Sequence, residues 1–220
     1  MIKLAIFDLD GTLINSLFDL GDSVNQTLEA HGYAKHSYNE YRFFVGNGTR
    51  LLINRALPEK VRGTELEEQI HSEFSALYAK NYLSKTKVYD NLEEELQKLK
   101  SDGIRLAVAT NKPDRFAKEI IKALFGDDFF DVVCGSTDDI ARKPQPDILL
   151  KIMNTLGTSP NETVMVGDSD VDIITSKNAH THSIGCLWGF RGKDELEKAG
   201  ADVVVNVPSE LSEVMKAFSV

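Results

Sequence analysis

Residues 3–12 read K-L-A-I-F-D-L-D-G-T. A short, continuous apolar run such as Leu4 to Phe7 suits a strand covered on both faces, and two aspartates and a glycine follow it directly. The same plan recurs along the chain. Arg105 to Ala109 reads R-L-A-V-A before Thr110, and Thr163 to Val166 reads T-V-M-V before Gly167-Asp168. Shorter runs lie at Val132 to Cys134, Ser183 to Leu187 and Asp202 to Val205. Helical patterns fill the gaps at 91–101, 113–124, 146–156, 170–179, 196–199 and 209–218. Two of them open on Pro113 and Pro146 and stop before Gly126 and Gly157, the usual punctuation of a helix. This alternation predicts an α/β fold, a doubly wound parallel sheet of Rossmann type with right-handed crossovers.

One section breaks the rhythm. Between Ile14 and Lys87 only helical patterns are found, at Leu20–His31, Tyr38–Val45, Thr49–Ala56 and Glu65–Leu83. A crossover between parallel strands needs only about a dozen residues. The excess predicts an inserted α-helical cap domain over 14–87, with the α/β core formed by 1–13 and 88–220.

The chain has 220 residues, 42% hydrophobic and 27% charged, with a net charge of -9. That composition is globular, and the acidic balance argues against nucleic acid or an anionic membrane as partner. A phosphorylated substrate stays compatible, because a bound cation reverses the local sign. Cys134 and Cys186 sit far apart in strand-like runs. They read as buried core residues rather than a disulfide or zinc site. The apolar stretch at the start is too short for a membrane span, and no export signal is seen. A reducing, cytoplasmic setting is expected.

Ligands of open α/β sheets bind beyond the carboxyl ends of the strands. Those ends supply Asp8, Asp10, Gly11 and Thr12, then Thr110 and Asn111, then Asp168, Ser169 and Asp172; Lys143-Pro144 precedes a helix. Four carboxylates in one crevice repel unless a cation joins them. Oxygen donors without nitrogen favour Mg²⁺. Asp8 and Asp10, two apart, would share a face on a regular strand. One can serve as nucleophile and the other as acid and base. Gly11 permits close backbone approach, Lys143 would offset phosphoryl charge, and Thr110 would donate to a phosphate oxygen.

These blocks, D-L-D-G-T at 8–12, T-N at 110–111, K-P at 143–144 and G-D-S-x-x-D at 167–172, resemble in order and spacing the haloacid-dehalogenase superfamily over nearly the whole chain. The resemblance implies Asp8 as nucleophile and Mg²⁺ ligand. It implies Asp10 as the acid that protonates the leaving oxygen and then activates water, its carbonyl also on the metal. Thr110 and Lys143 would hold the phosphoryl group with Asn111 beside them. Asp168 would bind Mg²⁺, and Asp172 and Ser169 would support the metal or Lys143. The product would be a phosphatase for a small phosphorylated metabolite, working through an aspartyl phosphate.

Dehalogenases of that superfamily lack the second aspartate, so Asp10 favours phosphoryl chemistry. Phosphonoacetaldehyde hydrolases need a cap lysine, for which Lys35 is the weak nominee. Phosphosugar mutases, pyrophosphatases and sugar-phosphate phosphatases share the blocks and stay open. The loop Val45-Gly46-Asn47-Gly48 before Thr49-Arg50 resembles the substrate loop of phosphoglycolate phosphatases, as do Thr110-Asn111-Lys112-Pro113 and Trp188-Gly189-Phe190. Gly46 and Gly48 alone would be a turn between helices. Ala179-His180 replaces the usual Ala-Gly of these relatives, and Asn15 replaces a frequent aspartate. A phospho-accepting receiver domain, the non-enzymatic rival, has its acidic pair after strand one, accepts phosphate after a later strand and lacks a large insert. The five histidines read as surface or packing residues, and the cap aromatics Phe43, Phe44, Phe74 and Tyr78 as helix packing.

Overall fold

The structure, a computed structural model, describes residues 1–218; the last two residues of the expected core stretch lie outside the described residues. Its elements are β1 (Leu4–Phe7), β2 (Ile14–Asn15), α1 (Leu17–Ala30), α2 (Tyr38–Phe44), α3 (Thr49–Ala56), α4 (Glu65–Asn81) and β3 (Lys87–Val88). Then come α5 (Leu92–Ser101), β4 (Arg105–Pro113), α6 (Asp114–Phe125), β5 (Val132–Ser136), α7 (Asp147–Leu156) and β6 (Thr163–Gly167). The chain continues with α8 (Asp170–Asn178), β7 (His182–Cys186), α9 (Lys193–Ala199), β8 (Val203–Val205) and α10 (Leu211–Ala217).

Six strands form one parallel sheet in the order β5-β4-β1-β6-β7-β8. The strand order reverses at β1, which lies between β4 and β6. Successive side chains of a strand face opposite ways, and the core divides accordingly. Ala5, Phe7, Leu106, Val108, Val164 and Val166 pack with α5, α6 and α10 on one face. Leu4, Ile6, Ala107, Ala109 and Met165 pack with α7 on the other. All eleven are buried. Truncating one large member of such a core to alanine costs about 2–5 kcal/mol.

The residues between β1 and β4 hold the departure from expectation. Ile14 pairs with Val88 and Asn15 with Lys87 in a two-residue antiparallel ribbon. No strand was expected there, because two residues are too few to show a period of two. The ribbon joins the outgoing and returning chain at the neck of the helical insert. Asp19, buried at the start of α1, reinforces it: its carboxylate accepts from Lys85 N–H, Thr86 N–H and the Thr86 hydroxyl at 2.8–3.0 Å. Beyond the neck, α1 to α4 enclose their own apolar cluster, with Leu20, Val24, Tyr41, Ile53, Phe74 and Tyr78 inside it. His180 takes φ 57, ending the α8 turn where a glycine was the familiar residue. Histidine enters the left-handed region more readily than most side chains.

Candidate active site

Asp8 leaves β1 with its N–H donating to Val166 O at 2.9 Å, so the backbone under the side chain is pinned to β6. Lys143 Nζ lies 2.9 Å from Asp8 Oδ1 and 2.6 Å from Asp172 Oδ1. The other Asp172 oxygen accepts from the Ser169 hydroxyl at 2.7 Å and the Ser169 N–H at 3.2 Å, closing a capping box at the start of α8. Such a box satisfies two free donors of a helix end; here it also orients the carboxylate that holds the lysine. Asp168 accepts from Phe190 N–H at 2.7 Å and from the Thr12 hydroxyl at 3.4 Å. Gly11 sits at φ +92, and a Cβ there would lie 2.4 Å from Asp168 Oδ2. Only glycine lets this turn and that carboxylate coexist.

Asp8, Asp168 and Asp172 offer oxygens all within 4.8 Å of one another, and all three residues are buried. Burial pushes the Asp8 carboxyl up to about 7 against the pull of Lys143, with repulsion from Asp172 and Asp10 adding to it. Burial, then Asp172 and Asp8, push Asp168 up to about 8. Lys143 loses from burial but gains more from Asp172 and Asp8, so its ammonium is held charged. Asp8 Oδ1 has the Lys143 ammonium as its one polar partner. Three buried carboxylates that share a single ammonium leave negative charge, and such an oxygen-donor set fits a hard divalent cation. Asp8 and Asp168 suit that purpose best, because Asp172 is engaged by Lys143 and Ser169.

Asp10 faces the same space by a different route from the one its spacing suggested. β1 stops at Phe7, and residues 9–14 wind into a tight loop with Leu13 and Ile14 N–H both donating to Leu9 O. Asp10 Oδ1 accepts from the Ser16 hydroxyl at 2.5 Å, and Lys112 Nζ reaches both its oxygens at 2.9 and 3.2 Å. Together Asp8, Asp10, Thr110, Asn111 and Lys112 form the core side of a cavity of about 30 Å³. The helical insert closes it with Leu20, Val45, Gly46, Gly48, Thr49 and Leu52. That volume holds a few waters at most.

The 189–191 loop and Asn111 hold the insert beside the cavity. Arg42 donates to Phe190 O at 2.9 Å and Gly189 O at 3.3 Å, while Arg191 donates back to Val45 O at 2.9 Å. Asn111 Nδ2 donates to Gly46 O at 3.1 Å. Phe190 itself is buried in the apolar cluster of the insert, though its N–H serves Asp168. Three successive residues thus touch a metal-type carboxylate on one side and the covering helices on the other.

The residues singled out in the sequence therefore separate into layers. Asp8, Asp10, Thr110 and Asn111 border the cavity with Gly46 and Gly48, and Lys143, Asp168, Ser169 and Asp172 surround Asp8 from beneath. Asn47 is not among the cavity-lining residues. Asn111 has its amide occupied: it accepts from Lys143 N–H at 2.9 Å and donates to Lys143 O at 3.0 Å. Arg50 turns outward to an exposed pair with Glu68. Sequence reasoning quoted Lys112 only within a resembling stretch, without a role, and passed over Ser16, Asp19 and Arg191. Lys112 had a signal, since it stands two residues after Thr110 and alternate strand residues share a face. Asp19 had none, because an acidic residue in a first helical turn is ordinary.

Fold and site together define a hydrolase that works on phosphate esters at the carboxyl edge of a parallel sheet. Residues 5–186 match the haloacid dehalogenase-like hydrolase family, and the chain belongs to it and is a phosphatase. It is 41% identical to the phosphoglycolate phosphatase of Psychrobacter arcticus, over 98% of this chain and 97% of that one. The phosphoglycolate phosphatase of Aquifex aeolicus is 32% identical over 97% of both chains. A solved structure described as a "predicted phosphoglycolate phosphatase" of Haemophilus somnus superposes with a TM-score of 0.90 at 30% identity, covering 97% of each chain. Among the described residues, no helix is long and apolar enough to cross a membrane.

Proposed function

We propose that the protein is a Mg²⁺-dependent phosphatase that hydrolyses phosphoglycolate through a phosphorylated Asp8. The observation that carries this reading is the buried Asp8 carboxylate at the carboxyl end of β1, with Lys143 on one side, Asp168 within the same cluster and Asp10 bordering the same cavity. Asp8 attacks phosphorus; the new bond forms from its carboxylate oxygen as the ester bond to the leaving oxygen breaks. Asp10 gives that oxygen a proton, then takes one from the water that releases phosphate from Asp8. Lys143 and the Thr110 hydroxyl hold the phosphoryl oxygens, while Asn111 keeps the Lys143 backbone and the Gly46 loop in place. Asp172 and Ser169 orient Lys143. Asp8, Asp168 and the Asp10 carbonyl would hold the Mg²⁺, which when bound supplies charge neutralisation for the phosphoryl group.

Residues 14–87 serve as the cap, and the loop at Gly46, Asn47 and Gly48 contributes selection. The phosphoglycolate assignment draws on the names of the relatives. A reducing cytoplasm is the compartment this reading takes, consistent with two buried free thiols, Cys134 and Cys186. The test is phosphate release from phosphoglycolate, pyrophosphate, sugar phosphates and nucleotides, with Mg²⁺ and with EDTA. Release that needs Mg²⁺ and Asp8 and favours phosphoglycolate is expected. Release preferring another ester overturns the substrate; release by Asp8→Asn at the normal rate overturns the mechanism.

A further inference from the structure

We infer that Lys112 is the specificity residue of this site: its ammonium recognises a carboxylate on the leaving group, so the substrate class is the small phosphorylated hydroxy acid. The inference rests on the phosphatase reading above and assigns it a residue. Lys112 is the one basic residue bordering the cavity, among the described residues. The insert offers apolar walls, two glycines and the Thr49 hydroxyl, and Arg50, next to Thr49, is paired with Glu68 outside. Arg142 lies against Gly48 and Arg191 against Gly46, neither among the lining residues. Lys143 is paired with Asp8 and Asp172, so Lys112 is the cation beside Asp10.

The position agrees with the chemistry. Asp10 marks the leaving oxygen, and Lys112 Nζ is 2.9 Å from Asp10 Oδ1. One further hydrogen bond of about 2.8 Å puts the leaving oxygen within about 6 Å of the ammonium. A carboxylate one methylene beyond that oxygen spans the difference; a longer or neutral group does not place an anion there. The ammonium is also ready. Its side chain is 2% exposed, and it lies over the Tyr78 ring at 4.9 Å from the centroid. Asp10 takes up at most two of its three donors, and Tyr78 lies beside it. Buried charge-assisted hydrogen bonds of this kind are the strong ones.

The test compares 2-phosphoglycolate with ethyl phosphate, which has the same chain length and no carboxylate, in wild type, Lys112→Met and Lys112→Arg. The readout is the ratio of kcat/KM for the two esters. Lys112→Met lowers that ratio about 10–100-fold, mostly through KM for the carboxylated ester, and Lys112→Arg restores most of it. An equal loss on both esters would mean that Lys112 only steadies Asp10 and would overturn the inference, as would an unchanged ratio. Calorimetric titration of 2-phosphoglycolate and Mg²⁺ into Asp8→Asn, with and without Lys112→Gln, reads the same contact without turnover. A tenfold or greater loss of affinity with Lys112→Gln supports recognition even if no ester is hydrolysed and the phosphatase reading fails. Equal affinity overturns recognition even if the phosphatase reading stands.

Discussion

Replacing Asp8 by asparagine should stop turnover and, in the absence of metal, make the protein more stable. Asp8 is buried beside two other carboxylates, and its carboxyl is raised from 3.8 to about 7. Between those values the folded chain holds a proton that the unfolded chain has released. Stability therefore falls as pH rises through the window and is lowest above the folded value. At 1.36 kcal/mol per pH unit the full effect at pH 8 is about 4 kcal/mol. Asparagine keeps the shape without the charge, and part of the gain is lost because Lys143 then has one carboxylate partner fewer. A net gain of about 2 kcal/mol remains, or about 4–8 °C in melting temperature for a chain of this length. Thermal melts in EDTA at pH 8 and pH 4, followed by circular dichroism, measure it. At pH 4 the wild-type carboxyl is protonated in the fold and nearly half protonated when unfolded, so the gain should almost vanish. With saturating Mg²⁺ the wild type should gain more stability than the variant does. The reasoning is refuted if Asp8→Asn melts no higher than wild type at pH 8 in EDTA, or gains equally at pH 4.

Phe190→Ala should cost about 3 kcal/mol, from emptying a buried aromatic site, and should raise the Mg²⁺ concentration needed for half-maximal rate, because the 189–191 loop also positions Asp168; melting and Mg²⁺ titration of phosphate release check both. Gly11→Ala forces a Cβ into Asp168 at an unfavourable φ, so Mg²⁺ affinity measured by calorimetry should drop at least tenfold. Asp19→Ala leaves the buried N–H and hydroxyl of Thr86 and the half-buried Lys85 N–H without their acceptor; about 2–4 kcal/mol of stability should go, and amide exchange at Lys85 and Thr86 should speed up. Asp10→Ala should reduce kcat on poor leaving groups more than on p-nitrophenolate, which departs without a proton.

Local pattern carried a large part of this protein. Short apolar runs followed by Asp8, Thr110 and Asp168 told where strands end, and a strand end is where a ligand sits whatever the neighbouring chain does. Helix punctuation at Pro146 and Gly157 placed α7 to within a residue. The long helical interval between Ile14 and Lys87 announced an insert because no crossover needs that many residues. The grouping of Asp8 with Lys143 and Asp172 came from four motifs in one order, and the distances came only with the fold.

What the pattern did not carry depends on residues far apart in the chain. The Ile14–Val88 ribbon is two residues long, below the length at which any period shows. Asp10 reached the cavity through a wound loop rather than a strand face, so its partners Ser16 and Lys112 were invisible to spacing. Phe190 lies in the insert's apolar cluster and Arg191 hands a hydrogen bond to Val45, 146 residues earlier in the chain. By itself, then, the sequence determined the sheet, the insert and the acidic chemistry, because each is written in neighbouring residues as periodicity, capping and turn chemistry. The tertiary structure alone decided which cation meets Asp10, how tightly the insert closes, and which carboxylates share Lys143. Those are properties of packing and charge in three dimensions, where the energy of a contact depends on distance and burial and not on separation along the chain.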